Sequence, residues 1–150
     1  MTAKERVLKR EYDRGRLAAQ EVQDKSSGMT GTELNAVDDR IPRFSSAVAK
    51  MNMLDRPVGF VCKSTSGRVV RLLQNYDSTV YTQEPEELPA QWGFVWSQDP
   101  AKALPFIALS TSPYNIGDCC SEGDFVYRST MDGNVWAPSA YPAGWEVVTA

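Results

Sequence analysis

The stretch Trp136-Ala137-Pro138-Ser139-Ala140-Tyr141-Pro142-Ala143-Gly144-Trp145 runs into a short apolar segment, Glu146-Val147-Val148. An upstream stretch repeats its punctuation: Gln83-Glu84-Pro85-Glu86-Glu87-Leu88-Pro89-Ala90-Gln91-Trp92, followed by Gly93-Phe94-Val95. The prolines, the Pro-Ala pair and the closing Trp fall at identical offsets, which marks an internal repeat. Strand-like runs surround both endings: Val58–Lys63, Arg68–Leu73 and Gly93–Ser97 for the first copy, Cys119–Ser121 and Asp124–Ser129 for the second. Gly, Ser, Asn, Asp and Pro separate these runs. Two small β units are therefore expected. The informative mismatch is Gln83 where the second copy has Trp136.

Upstream of the repeat the period changes. Leu8, Tyr12, Gly15, Ala19 and Val22 recur at three- and four-residue steps, the stripe of one long helix over residues 3–25. Glu5/Lys9 and Glu21/Lys25 are favourable i,i+4 pairs, and Gly28 reads as the residue that ends the helix. So narrow a stripe buries little, and a lone helix of this length is marginal in water. It is expected to dock, on a copy of itself or on a larger assembly. Thr30-Gly31-Thr32-Glu33 fits a capping box for a second, short helix to Asp39, stopped by Ile41-Pro42. Residues 43–56 read equally as irregular chain or brief helix. Phe106–Leu109 reads as a strand or as apolar packing between the units.

These elements define an α+β fold, mainly β. Its expected parts are a helix at 1–27, a short helix and linker at 28–52, a degenerate β module at 53–98, a connector at 99–112 and a second β module at 113–150.

Composition narrows the chemistry. With 150 residues and net charge −3, nothing overall invites nucleic acid. Residues 1–25 carry seven Lys/Arg against five Asp/Glu, the interleaving of a solvated helix face. Histidine is absent, removing the commonest general base and metal ligand. Three cysteines are too few for a disulfide framework, and the adjacent Cys119 and Cys120 read as free thiols, one of them inward. Neither a metal site nor a cofactor is expected. Glu84, Glu86 and Glu87 crowd one proline-flanked loop and read as solvated rather than as a catalytic carboxylate pair. Ser and Cys lack a histidine to activate them, so no enzyme is expected. The opening Met1-Thr2-Ala3-Lys4-Glu5-Arg6 reads as no secretory leader, and no apolar run is long enough to insert in a membrane.

The tryptophans carry the functional reading. A unit this small cannot bury every indole, and Trp136 is the one expected to face solvent. Trp92 and Trp145 recur at one repeat position, each leading an apolar strand, and read as structural. Trp96, two residues after Phe94 on the same strand face, reads as core or interface.

The second copy resembles the chitin-binding type of carbohydrate-binding module, families 5 and 12. The residues that carry the resemblance are Tyr114, Gly117, Asp118, Tyr127, Arg128, Trp136, Pro138, Pro142, Ala143 and Trp145, over residues 113–148. It implies a tiny set of antiparallel strands and nominates Tyr127 and Trp136, with Tyr141 on the same loop, as sugar-stacking residues. The upstream copy keeps Gly59, Pro85, Pro89, Ala90 and Trp92. It has Val70 and Gln83 where the second copy has Tyr127 and Trp136, which deletes its aromatics.

The order of parts also resembles small proteins of bacteriophage and prophage structural regions, through Met29–Glu33 and Ile41-Pro42. That resemblance implies a virion accessory part (tail, baseplate or head fibre) assembled in the bacterial cytoplasm. Its implied partners are other virion proteins and a cell-surface polysaccharide. Homo-oligomers would form through Leu8, Tyr12, Ala19 and Val22. The alternative expectation is an adaptor or decoration subunit that binds neighbouring virion proteins and no sugar.

Overall fold

A computed structural model describes residues 1–148. The fold is α+β: a long N-terminal helix, two short ones, and two small sheets in succession. Helix α1 spans Ala3–Lys25, α2 Gly31–Ala36 and α3 Phe44–Lys50. Both α1 and α2 open with closed capping boxes, Thr2 with Glu5 and Thr30 with Glu33. Glu5 is thereby engaged with the helix start, whereas Glu21 and Lys25 form their ion pair at 2.6 Å.

Local expectations are revised at several points. Gly28 does not terminate α1 in a left-handed conformation; the chain tightens into a 3₁₀ turn, Ser26–Gly28, and stays at negative φ. Helix α2 ends at Ala36, and a 3₁₀ turn at Asp38–Arg40 completes the approach to Ile41. The ambiguous segment 43–56 contains α3, because Phe44 and Ala47 sit one turn apart and both bury.

The first sheet runs β1 (Val61–Lys63), β2 (Val69–Leu72), β3 (Trp92–Phe94), antiparallel throughout. The second has β4 (Leu104–Pro105) parallel to β5 (Cys119–Glu122), followed by antiparallel β6 (Phe125–Ser129) and β7 (Trp145–Val147). The strand that precedes the second unit is thus at 104–105. Phe106–Leu109 is apolar packing, with Phe106 and Leu109 joining different cores.

The repeat is a repeat of register. The row Cys62–Val70–Phe94 in the first sheet corresponds to Cys120–Tyr127–Val147 in the second. Leu72 pairs with Trp92 as Ser129 pairs with Trp145, and Arg71 sits between Val61 and Gly93 as Arg128 does between Cys119 and Glu146. Ahead of each first strand a glycine takes the same left-handed φ, 94° at Gly59 and 93° at Gly117. Each donates its N–H across the sheet, to Leu72 O at 2.8 Å and Ser129 O at 2.9 Å. Only glycine adopts that φ without strain.

Strand alternation explains what covers each face. Cys62, Val70 and Phe94 point toward α3 and the 53–60 segment, making a core with Phe44, Ala47, Met53 and the fully buried Trp92. Val61 and Val69 point the other way, where Val22 of α1, Leu34 of α2 and Ile41 cover them. Arg71 shares that face, and its guanidinium donates to Ser26 O at 2.6 Å and Met29 O at 2.8 Å. Gln23 of α1 exchanges two hydrogen bonds with the Val61 backbone (2.6 and 2.9 Å), much as a neighbouring strand would. In the second sheet the corresponding face carries Cys119, Arg128 and Glu146. Arg128 and Glu146 approach to 3.8 Å there, both partly in water.

Only the end of α1 is docked. Residues 1–17 are exposed apart from a half-buried Asp13. Among the described residues no helix is long and apolar enough to cross a membrane.

Candidate functional site

The loop from β6 to β7 carries the exposed indole, and buried polar groups fix it. Asn134 is fully buried; its side-chain amide donates to Gly144 O at 2.9 Å and Ser129 Oγ at 3.1 Å. Its Oδ1 accepts from the Trp136 N–H at 3.2 Å. Trp145, buried against Tyr114 and Phe106, donates its ring N–H to Trp136 O at 2.8 Å. Ala140 and Tyr141 close a turn onto Ala137 O, each at 2.9 Å, and Glu122 accepts from Ser139 N at 3.0 Å. The Trp145 link ties the loop to the second core, and the Ala137 turn stiffens it from within.

On this base Trp136 stands 48% exposed and Tyr141 42% exposed. Their rings meet edge to face, centroids 5.7 Å apart at 74°. With Met131 and Ala140 they line an open cleft of about 410 Å³. Two perpendicular aromatic walls give one ring as a stacking floor and the other as a side wall. The lining carries no carboxylate, and its aromatic faces can grip the apolar face of a ligand.

Tyr127 lies elsewhere. It sits on β6 in the row with Cys120 and Val147, half-buried against the second core, and its ring neighbour is the exposed Phe125 at 6.4 Å. Trp136 and Tyr141 are brought together; Tyr127 belongs to a different patch. Trp92 is fully buried and donates its ring N–H to the Tyr76 hydroxyl at 3.0 Å. Trp96 bridges the two cores: it stacks on Phe94 (5.8 Å) and on Tyr114 (4.3 Å), and its N–H reaches Ser112 O. On α1, Leu8 and Tyr12 are exposed, Ala19 is half-buried and Val22 is buried against Val61.

The titratable groups follow from burial. All three thiols are free, and both Cys119 and Cys120 are buried, so the expectation of one inward thiol gives way to two. Cys119 lies against the 97–98 segment: its N–H donates to Ser97 O at 2.9 Å and its thiol reaches Gln98 O at 3.7 Å. Desolvation raises all three, Cys120 to about 12. Burial also raises Asp118, which accepts from Asn115 N at 2.8 Å. The acidic loop is not simply solvated. Glu84 accepts from Thr65 N, and Glu86 accepts from the Ser66 hydroxyl and lies 3.5 Å from Arg68, so the two carboxylates brace the β1–β2 turn. Among the described residues no three His, Cys, Asp or Glu side chains gather as a metal site would require.

Sequence reasoning missed Asn134 and Met131. Asn134 follows Gly133, which takes a left-handed φ of 65°, so the pair read only as a turn. Nothing local signals that this amide turns inward to bracket a loop. Compared with known proteins, the chain matches no family model, no curated protein and no solved structure.

Proposed function

We propose that the chain is a non-catalytic glycan-binding protein whose second β unit grips a polysaccharide in the Trp136–Tyr141 cleft. The observation that carries this reading is the contrast among the indoles. Trp92 and Trp145 are buried with partnered ring N–H groups, whereas Trp136 is half exposed on a loop that Asn134 and Trp145 hold rigid. A preorganised flat ring in water is what stacking on a sugar face requires, because little ordering cost remains at binding. The first unit is a structural duplicate on this reading: Gln83 and Val70 replace its aromatics, and its faces are covered by helices. Together with the resemblance to virion accessory proteins, the proposed setting is a phage particle, with the second unit facing outward. Display in several copies would raise a weak single-site grip by about 10²–10⁴ through avidity.

Titration with soluble chitooligosaccharides, followed by intrinsic tryptophan fluorescence, tests the reading. The expected result is a saturable change that Trp136→Ala and Tyr141→Ala each abolish without loss of the folded state. Absence of any change across β-linked and α-linked glycans, or a change that survives Trp136→Ala, overturns it. A second reading, an adaptor subunit without sugar binding, draws on the exposed stripe of α1. Incorporation into particles that depends on Leu8 and Tyr12 but not on Trp136 would favour that role.

A further inference from the structure

Where α1 leaves the body, a groove of about 280 Å³ separates it from α3. Three cations line it, Arg16 from α1, Lys50 from the end of α3, and Arg56, alongside the neutral Gln20, Gln23 and Ser46. No carboxylate is on its wall. The acidic side chains nearby, Asp24 and Asp55, line the adjoining depression beyond Gln23 and Arg56, so the basic character is confined to the α3 side. Among the described residues none of the three cations forms an ion pair. In a chain of net charge −3 that concentration is unusual.

One of the three is already posed. Arg56 donates from Nη2 to Ala47 O at 3.0 Å, and its guanidinium lies 4.4 Å over the Phe60 ring. Its Nε is buried without an acceptor. A guanidinium held this way loses little freedom on meeting an anion. Arg16 and Lys50 are exposed and free to converge on the same ligand. Above the groove, Leu8 and Tyr12 occupy the helix face that Ala19 and Val22 continue downward, since all four fall on one side at 100° per residue. Both are exposed. The groove sets its three cations beside Ala19, Pro42, Ala47 and Phe60, and the exposed Leu8 and Tyr12 extend an apolar stripe beyond it along α1.

We infer that this notch is a docking site for an acidic, amphipathic segment of a partner protein. Its carboxylates would meet Arg16, Lys50 and Arg56, and its apolar side chains would cover Leu8 and Tyr12. The charge on the floor selects this occupant over an uncharged helix, and over a second copy of α1, since residues 1–25 carry seven Lys/Arg against five Asp/Glu. The inference stands on α1, α3 and the segment carrying Arg56 and Phe60, and is independent of the glycan cleft.

The test uses the full chain, a fluorescein-labelled amphipathic peptide with leucines on one face and glutamates beside them, and the same peptide with glutamines. Anisotropy at low ionic strength is expected to show binding of the glutamate peptide only. Arg16→Gln with Lys50→Gln should weaken it roughly five- to tenfold, as two partly exposed ion pairs are removed. Arg10→Gln with Arg14→Gln, an equal charge change on the opposite face of α1, should leave it within about twofold. Failure to bind the glutamate peptide, equal loss in the two double variants, or equal binding of the glutamine peptide would each overturn the inference. Competition by inorganic phosphate at concentrations that leave ionic strength unchanged would do so too, since it would mark a bare anion site rather than a polypeptide one.

Discussion

The ring N–H of Trp145 donates to the carbonyl oxygen of Trp136 at 2.8 Å, so a buried indole anchors the backbone of an exposed one. Trp145→Phe leaves a smaller aromatic ring against Tyr114 and Phe106 and deletes this bond. The expected cost by denaturant midpoint exceeds the roughly 0.5–1.5 kcal/mol of one hydrogen bond, because the lost half of the indole also leaves a cavity. Because the loop then has only Asn134, Glu122 and its own turn to hold it, hydrogen exchange at 136–141 should accelerate more than exchange in β5 and β6. Uniform acceleration across the second sheet would show that packing, not the bond, had been damaged.

Helix α2 rests directly on the end of the first sheet. A Cβ at Gly31 would press into the backbone carbonyl of Trp96, which cannot move as a flexible side chain could. Gly31→Ala is therefore expected to destabilise by about 1–3 kcal/mol, the range for overpacking, although alanine is the better helix former. A neutral or stabilising result in thermal unfolding would mean that α2 shifts away freely.

Arg71 ties two carbonyls, Ser26 O and Met29 O, with one planar group. Lysine presents a single point charge and cannot reproduce that fork. Arg71→Lys is expected to loosen the end of α1, seen as limited proteolysis between residues 25 and 31 and as reduced helicity by circular dichroism. The sheet itself should persist, since Val70 and Leu72 remain in place. Unchanged cleavage kinetics would show that Gln23 and Val22 hold the helix unaided.

Three buried thiols make the fold sensitive to alkali. Their folded values lie above the unfolded value of about 8.5, because burial disfavours the thiolate. Raised folded values mean that the contribution is fully present below about pH 8.5 and declines as pH rises toward the folded values, Cys120's being about 12. Each thiol steepens the decline by at most about 1.4 kcal/mol per pH unit. Urea midpoints measured from pH 7 to 10 should fall, and Cys120→Ala should flatten the slope even though it lowers the starting stability. An identical slope in that variant would assign the decline to other groups.

The fold was legible where one physical rule acted alone. The i,i+3/i+4 stripe of α1, the capping box at Thr30, and the repeated Pro-Ala-x-Trp endings each map onto elements in the structure. What was not legible depended on pairs distant in sequence. Gly28 looked like a left-handed helix terminator, but α1 runs instead into a 3₁₀ turn in which Met29 N–H donates to Ser26 O, and Arg71, forty-odd residues on, donates to Ser26 O and Met29 O. Glu84 and Glu86 looked idle because Thr65, Ser66 and Arg68 reach them from another turn. For the candidate site, Trp136 stood out by its mismatch with Gln83 and Tyr141 by sharing its loop, but the buried Asn134 beneath them leaves no trace in spacing. Tyr127 was nominated by pattern, and its row in the sheet turns it toward Cys120 instead.

The column of rings from Phe94 through Trp96 and Tyr114 to Phe106 joins the two halves of the duplication. Trp96 belongs by sequence to the first half, yet its closest ring contact lies in the second. Severing the chain between the units would strand an indole in water and open a gap beneath Tyr114. Heating should accordingly produce a single calorimetric peak, with no temperature at which one half survives its twin. The two similar units should therefore melt as one.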